Sequence, residues 1–371
     1  MHQYSQGKNH TQGHKGIPEG KFEEEHGRRG FFGPVSHLIK NVAPTSWTNI
    51  EGPLKPQLFD LVPAKYKLNQ WHRLLYNSDV VIYSMWNDKT DLSTSKDIPA
   101  LRNAEGDTLY YCHQGSGVVL TEYGLLSFKV GSYVTIPKSL HHTVVYFEKT
   151  QFLIIESRSS AYREPDRGMA GRNAFYDPAA FGKPNLDAQN EFKKKNNLTS
   201  KEIVVLRNGV TKFSYNQCVY DTYSWKGDYF PFTLHIDDMM PIMSHRVHLP
   251  PSVHTTFVAN GFVVCTFLPR LIETDADALK VPFFHQNIDY DEVLFYHAGN
   301  FFSRDNLHSN MISLHPAGMP HGPHPKAFAA QGKKAMTDEV AVMIDSTQAF
   351  NVDPYFENLE VKSYWQSWML K

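Results

Sequence analysis

Apolar residues along this chain fall into short runs punctuated by glycine and proline, without the long 3.6-residue periodicity of buried helices. From Leu58 the runs are "DVVIYSMW", "TLYYCHQGSGVVLTEYGLLSFKVGSYVTIP" and "TVVYFEKTQFLIIESR". They are rich in β-branched and aromatic residues, and Gly115, Gly117, Gly124 and Gly131 interrupt them at hairpin-like intervals, which predicts half of an antiparallel barrel over residues 57–158. Residues 159–202 lose the alternation and gain Pro, Gly, Asn and charge, the pattern of a linker holding a short helix. A second β-rich tract over 203–371 runs from "EIVVLRNGVTKFSY" through "SVHTTFVANGFVVCTFLP" and "DEVLFYHAGNFF" to "MISLHPAG", and "DPYFENLEVKSYWQSW" closes it with a docked helix. Residues 1–56 are polar, with an acidic run at Glu23 to Glu25, and predict an arm laid over a core.

The two tracts echo each other. "GDTLYYCHQGSG" and "YDEVLFYHAGNF" share a strand followed by Gly115 or Gly299, and "YVTIPKSLHH" and "MISLHPAGMPH" each end a strand in Pro followed by His. The expectation is an all-β-dominated fold of two antiparallel barrel or jelly-roll halves with few peripheral helices.

Formal charge is −1, and no broad basic stripe accompanies the local "KKKNN", which argues against nucleic acid as a partner. No apolar stretch suits a signal peptide or a membrane span, and Cys112, Cys218 and Cys265 sit singly among strand-like neighbours. A soluble cytoplasmic protein with reduced thiols and no membrane partner is expected. Nineteen histidines make accidental pairs common, so only spacing carries weight.

One spacing does. In "FFHQNIDYDEVLFYHAG" His285, Asn287, Glu292 and Gly299 are followed by Pro316, Gly318 and His321. Even separations along a strand share a face, and a turn between His285 and Glu292 lets neighbouring strands aim both inward. With His321 from a third strand, two imidazoles and a carboxylate meet on one side of a cavity, the facial set that suits non-haem Fe(II). Asp289 belongs to the turn and Asp291 to the opposite face, so Glu292 is the preferred carboxylate. In the first tract the same places hold Leu101, Asn103 and Thr108, and only His142 survives, which predicts a structural first barrel without metal.

These residues match the two motifs of the cupin superfamily, with Asn287 in the place of the second histidine. "VPFFHQN", "DEVLFYHAG" and "SLHPAGMPHGPHP" more narrowly resemble the homogentisate 1,2-dioxygenase family. So do "VYDTYSWKGDYFPF" (Asp221, Trp225, Gly227, Tyr229, Pro231), "HRVHLPPS", "GFFGPVSHL" and "TSWTNIEGPLKP". The resemblance implies a bicupin whose second half binds Fe(II) through His285, Glu292 and His321. It also implies O2 as co-substrate, and opening of the homogentisate ring to maleylacetoacetate in tyrosine and phenylalanine catabolism. By position His248 falls on the histidine that contacts a ring hydroxyl as acid or base, and His315 on a second histidine lining the substrate pocket. A trimeric or hexameric homo-oligomer is expected by analogy.

Arg304 of "FFSRDN" follows the metal-ligand strand and is the candidate clamp for a small aromatic acid, and Tyr296 shares the face of Glu292 and can add a phenolic donor. The chain departs from the family in a four-residue ligand loop and in Phe301 and Phe302, which stand where a hydroxylated aromatic would help bind the acid. Another phenolic acid such as gentisate, or a substituted hydroquinone, is therefore the alternative substrate, and a non-catalytic ligand-binding bicupin the alternative class.

Overall fold

The computed structural model describes residues 4–10, 12–62, 64–94, 96–301, 304, 306–330, 332 and 334–369. The described residues form four sheets. Two of them face each other as the first barrel. One has seven strands in the order Phe232–His235, Ser132–Ile136, Asp107–Gln114, Thr150–Ser157, Val80–Asn87, His72–Tyr76 and Asn351–Val352. Its partner has six, in the order Val210–Ser214, Glu202–Leu206, Ala100–Asn103, His141–Tyr146, Gly117–Thr121 and Gly124–Phe128. The second barrel has a six-stranded sheet, Thr255–Ala259, Phe262–Phe267, Val340–Ser346, Asp291–Ala298, Met311–His315 and Gln57–Asp60. Against it stands a three-stranded sheet, Phe284–Asn287, Phe22–Gly27 and Val35–Lys40. The predicted all-β double barrel is thus the fold.

The barrels do not follow the expected chain divisions. Strands Glu202–Leu206, Val210–Ser214 and Phe232–His235 complete the sheets of the first barrel, although the second tract was expected to start at 203. Conversely Gln57–Asp60 joins the second barrel beside Met311–His315, and Asn351–Val352 returns to the first beside His72–Tyr76. The physical reason is edge protection: an unpaired edge strand leaves a row of unsatisfied N–H and C=O groups, and each barrel borrows a strand from the other's tract to cover one.

The arm is corrected more deeply. Phe22–Gly27 is no surface covering: it pairs in parallel with Phe284–Asn287, Glu25 opposite His285, and Glu23, Glu24 and Glu25 are all buried. In the linker the short helix is present as Leu186–Asn196, started by the Asn185 side chain accepting from the Ala188 N–H at 3.0 Å and ended by Asn197 in the left-handed region. The closing segment forms two short turns, Pro354–Glu357 and Tyr364–Trp368, instead of one helix, with Tyr364 and Trp368 buried. No helix of the described residues is long and apolar enough to cross a membrane.

Between the barrels lies one core, in which Tyr111, Tyr133, Leu153 and Ile155 of the first pack with Phe257, Val264, Val293, Phe295 and Ile344 of the second. The echo in the sequence has a spatial counterpart there. His113 and His297, each two residues before the matched glycine, meet with Nδ1 atoms 2.8 Å apart, and each ring stands edge-on to the other barrel's Phe295 or Tyr111. Burial pushes His113 down to about 3, helped by repulsion from His297, and burial pushes His297 down to about 4. Both rings are neutral when folded, so below the ordinary histidine value the unfolded chain binds more protons and stability falls with pH. Acidifying from pH 6.5 towards 4 is expected to cost on the order of 5 kcal/mol from this pair, at about 1.4 kcal/mol per pKa unit for each ring. Urea melts across that range check it: His113→Gln/His297→Gln should flatten the dependence, and an unchanged slope would show that the pair contributes nothing.

Candidate metal centre

The second barrel brings the three expected side chains together. One ligand atom each from His285, Glu292 and His321 lies within 4.8 Å of the other two, and all three residues are buried. Local pairing explains the motif. His285 and His321 are directly opposed in an antiparallel bridge, exchanging N–H to O bonds of 2.8 and 2.9 Å, so the segment after Pro316 swings His321 next to His285. The swing is fixed by Gly318, whose N–H donates to the Asn287 carbonyl at 2.8 Å and whose φ of +70° favours glycine. Gly299 at φ +90° ends the Glu292 strand where a Cβ would sit 2.0 Å from the Asp338 carbonyl oxygen.

Protonation at the trio is decided by the backbone. His285 Nδ1 lies 3.0 Å from the Phe283 carbonyl oxygen and His321 Nδ1 3.0 Å from that of Met319. A carbonyl only accepts, so both Nδ1 atoms carry the proton and both Nε2 atoms present lone pairs. Those Nε2 atoms are buried without a hydrogen-bond partner, 3.8 Å (His285) and 3.4 Å (His321) from Glu292 Oε2. Burial works to raise the Glu292 carboxyl, and the His315 Nδ1 group 3.0 Å from Oε1 opposes it. An anion facing two lone pairs in a buried site asks for a cation, and metal bonds of about 2.0–2.2 Å place neighbouring donors roughly 3–3.5 Å apart. The residues present fit a divalent transition-metal ion.

His315 has a different place from the expected one. It does not line the cavity: fully buried, it stacks on His321 at 4.8 Å, and its Nδ1 lies 3.0 Å from Glu292 Oε1. It orients the carboxylate from behind, so His315→Ala is expected to weaken metal affinity about 10- to 100-fold with a smaller change in KM. Equilibrium dialysis with Fe(II) or Zn(II) checks this, and an unchanged affinity with raised KM would restore His315 to the substrate pocket. Asp291 accepts from the N–H groups of Ala317 and Phe350, and Asp289 pairs with the Arg28 guanidinium, so both carboxylates are engaged away from the trio. Asn287 lies 3.4 Å from Asp345 through its Nδ2 atom.

In front of the trio is an open-mouthed pocket. His285, Glu292, His248, Arg304, Tyr296 and Phe301 line it, so three expected site residues, His248, Arg304 and Tyr296, share one cavity with the candidate centre; Phe302 lies outside the described residues. Arg304 donates to the Gly322 carbonyl at 2.6 Å through Nη1, while its buried Nε has no partner among the described residues. Tyr296 Oη lies 2.8 Å from Ser313 Oγ, and its ring packs against Phe301 at 4.8 Å. His248 Nδ1 stands 3.1 Å from Glu273 Oε1. Burial lowers His248 while Glu273 opposes the shift, and the Glu273 carboxyl, which burial would raise, is held below its ordinary value chiefly by His248.

Sequence reasoning missed Arg270, Glu273, His254 and Glu339. Arg270 and Glu339 stand in the cavity wall with 3.9 Å between Arg270 Nη1 and Glu339 Oε1. The buried carboxyl of Glu339 is pushed up by burial, against the pull of Arg270 and Arg304. None of the four lies in a motif, and the weak signal available was a charge placed directly after a strand, as in "TFLPR".

In the first barrel the equivalent positions satisfy one another. Asn103 Nδ2 donates to Thr108 Oγ1 at 3.1 Å and to Glu156 at 2.7 Å, and Tyr110 Oη lies 2.8 Å from His142 Nε2.

Comparison with known proteins agrees with this picture. The family model described as "Homogentisate 1,2-dioxygenase N-terminal" matches residues 55–236. A Saccharolobus solfataricus protein provisionally named a dioxygenase is 31% identical over 361 residues, 93% of this chain and 92% of that one. The chain belongs to the homogentisate 1,2-dioxygenase family. Two relatives carrying the name homogentisate 1,2-dioxygenase, from Drosophila melanogaster and Rhizobium johnstonii, are each 26% identical. The matches cover 69% and 67% of this chain but only 58% and 55% of those proteins, so the chain spans little more than half their length. Among solved structures, a cupin 2 conserved barrel domain protein from Leptotrichia buccalis aligns with TM-score 0.37 at 10% identity, covering 77% of this chain and 92% of its own. An oxalate decarboxylase variant of Bacillus subtilis aligns with TM-score 0.38 at 13% identity, covering 83% and 81%. The bicupin architecture of this family member is carried by the strand pairing described above.

Proposed function

We propose that the protein is an Fe(II)-dependent dioxygenase that opens the ring of a small dihydroxylated aromatic acid, with homogentisate as substrate and maleylacetoacetate as product. Both oxygen atoms of O2 enter the product, so the reaction balances without an external reductant or organic cofactor. The observation that carries the reading is the trio itself: two bare imidazole nitrogens and a carboxylate converge, with His285 and Glu292 in the wall of a cavity that also holds two arginines. Two imidazoles with one carboxylate and open positions suit non-haem Fe(II) better than a structural zinc, which is usually closed by four protein ligands.

When bound, Fe(II) supplies an electron route between the electron-rich ring and O2. The chain's own residues do the rest. Arg304 and Arg270 offer a cationic wall for the substrate carboxylate, the strong charge-assisted contact that orients the ring. His248, neutral through burial, accepts the phenolic proton at Nε2 because its Nδ1 faces Glu273. Glu273 then steadies the imidazolium formed. Phe267, Phe283, Leu294 and Met343 complete an apolar wall that excludes water from the reacting face.

The test is oxygen uptake by anaerobically Fe(II)-loaded protein with a panel of hydroxylated phenylacetates and benzoates. Turnover of homogentisate, with product absorbing as a ring-opened diketo acid, is expected. Strong turnover of gentisate with none of homogentisate would overturn the substrate, and binding of less than about half an equivalent of any transition metal would favour a non-catalytic bicupin.

A further inference from the structure

The arm carries a second cluster of metal-binding side chains that the catalytic reading does not use. We propose that His10, His37 and Glu23 bind a divalent transition-metal ion, oriented by His14 and Glu25, and that this ion clasps the arm onto the wall of the catalytic cavity.

Glu23 and Glu25 lie on one face of the strand Phe22–Gly27 and are buried at 2% and 4% exposure, figures at which a carboxylate must be paired. Around them are only imidazoles. His10 Nε2 lies 2.6 Å and His37 Nδ1 2.8 Å from the same oxygen, Glu23 Oε1. His14 bridges the carboxylates, its Nδ1 3.0 Å from Glu23 Oε2 and its Nε2 2.8 Å from Glu25 Oε2, while its backbone N–H also donates to Glu23. His37 Nδ1 is 4.0 Å from Glu25 Oε2. The ligand atoms of His10, Glu23 and His37, and again of His14, Glu25 and His37, lie within 4.8 Å of one another.

The opposite face of the same strand is an internal control. Glu24, also buried, is paired with the Lys40 ammonium and hydrogen-bonded by Gln286. Among the described residues no lysine or arginine reaches Glu23 or Glu25 in this way. His14 has a carboxylate oxygen at each ring nitrogen and so donates from both as an imidazolium, which leaves one net negative charge on the two carboxylates for a divalent ion bound through neutral His10 and His37 to offset. Nitrogen and carboxylate donors suit a divalent transition-metal ion, and the present contacts of 2.6–3.0 Å need to open by only about half an ångström to surround an ion with bonds of about 2.0–2.2 Å. The loop is shaped for it: Gly13 packs on the His37 ring so closely that a Cβ would lie 2.7 Å from Cε1.

The cluster sits directly behind the catalytic cavity. Glu25 is the ladder partner of His285. His14 stacks at 4.0 Å on Phe283, whose ring lines the cavity and stands 5.1 Å from His285 and 5.6 Å from His248. An ion here would fix the arm sheet and, through Phe283, the cavity wall.

The experiment uses untagged full-length protein, stripped with chelator, offered Zn(II), desalted and analysed for metal. Wild type is expected to retain about one equivalent per chain more than His10→Ala/His37→Ala, and His285→Ala/His321→Ala to retain about one equivalent that the arm substitutions remove. Zinc should raise the melting temperature of His285→Ala/His321→Ala and leave that of the fourfold variant unmoved. Co(II) added to wild type should give the visible bands of a tetrahedral ion, lost in His10→Ala/His37→Ala. Equal metal content in wild type and His10→Ala/His37→Ala overturns the proposal whatever the fate of the catalytic trio, because protons and hydrogen bonds would then hold the cluster by themselves.

Discussion

Replacing His321 by alanine is expected to release the catalytic ion and lower oxygen-dependent ring opening at least about 1000-fold, a barrier change of about 4 kcal/mol. The bridge to His285 is a backbone pairing and survives the substitution, so the loss is chemical and not a collapse of the barrel. Glu292→Gln separates the ion from the fold more sharply. In metal-loaded protein it removes a ligand and should cost activity and thermal stability together. In metal-free protein it removes a buried anion that faces lone pairs, so it should be neutral or stabilising. Metal analysis, oxygen uptake and melting curves of both forms check this. A Glu292→Gln protein that keeps its ion and its turnover would remove the carboxylate from the ligand set.

The second large effect concerns the arginines. Arg304→Met and Arg270→Met are each expected to lower kcat/KM for homogentisate roughly 30- to 100-fold, the loss of a charge-assisted contact worth about 2–3 kcal/mol. Unsubstituted hydroquinone, which has no carboxylate to hold, should be a poor substrate for wild type and lose little further in either variant. The two substitutions should differ in their pH dependence. Arg270 is the nearer counter-charge to Glu339, whose carboxyl is already pushed up by burial, so removing the guanidinium lets Glu339 take a proton at higher pH. Arg304 is tied to the Gly322 carbonyl next to His321, so its loss should also loosen the metal. Steady-state kinetics with both substrates decide the matter: equal losses on homogentisate and hydroquinone would make the arginines structural.

The arm shows why a charge pattern misleads when its partners are remote. Three consecutive glutamates read as part of a polar arm laid over a core, yet in the fold each is buried. Glu24 finds Lys40 on one face, and Glu23 and Glu25 find His10, His14 and His37 on the other. The partner histidines were visible as composition only, because nothing local fixes their distance from the strand. His315 was displaced for a related reason: strand alternation puts it on the face of Glu292, but only the register Glu292 opposite His315 decides that it holds the carboxylate and leaves the cavity to others.

What the sequence alone determined was local. Period-two alternation, glycines at positive φ and the spacing from His285 through Glu292 and Gly299 to His321 specified strands, turns and three convergent donors, since each depends on a few neighbouring residues. The tertiary structure decided which strands close which barrel, that the arm supplies a sheet of the second, and that Arg270, His254 and Glu339 stand around the cavity with Glu273 against His248. Those outcomes come from pairings between residues far apart in the chain, where burial and edge satisfaction of the whole molecule, and no local preference, select the arrangement.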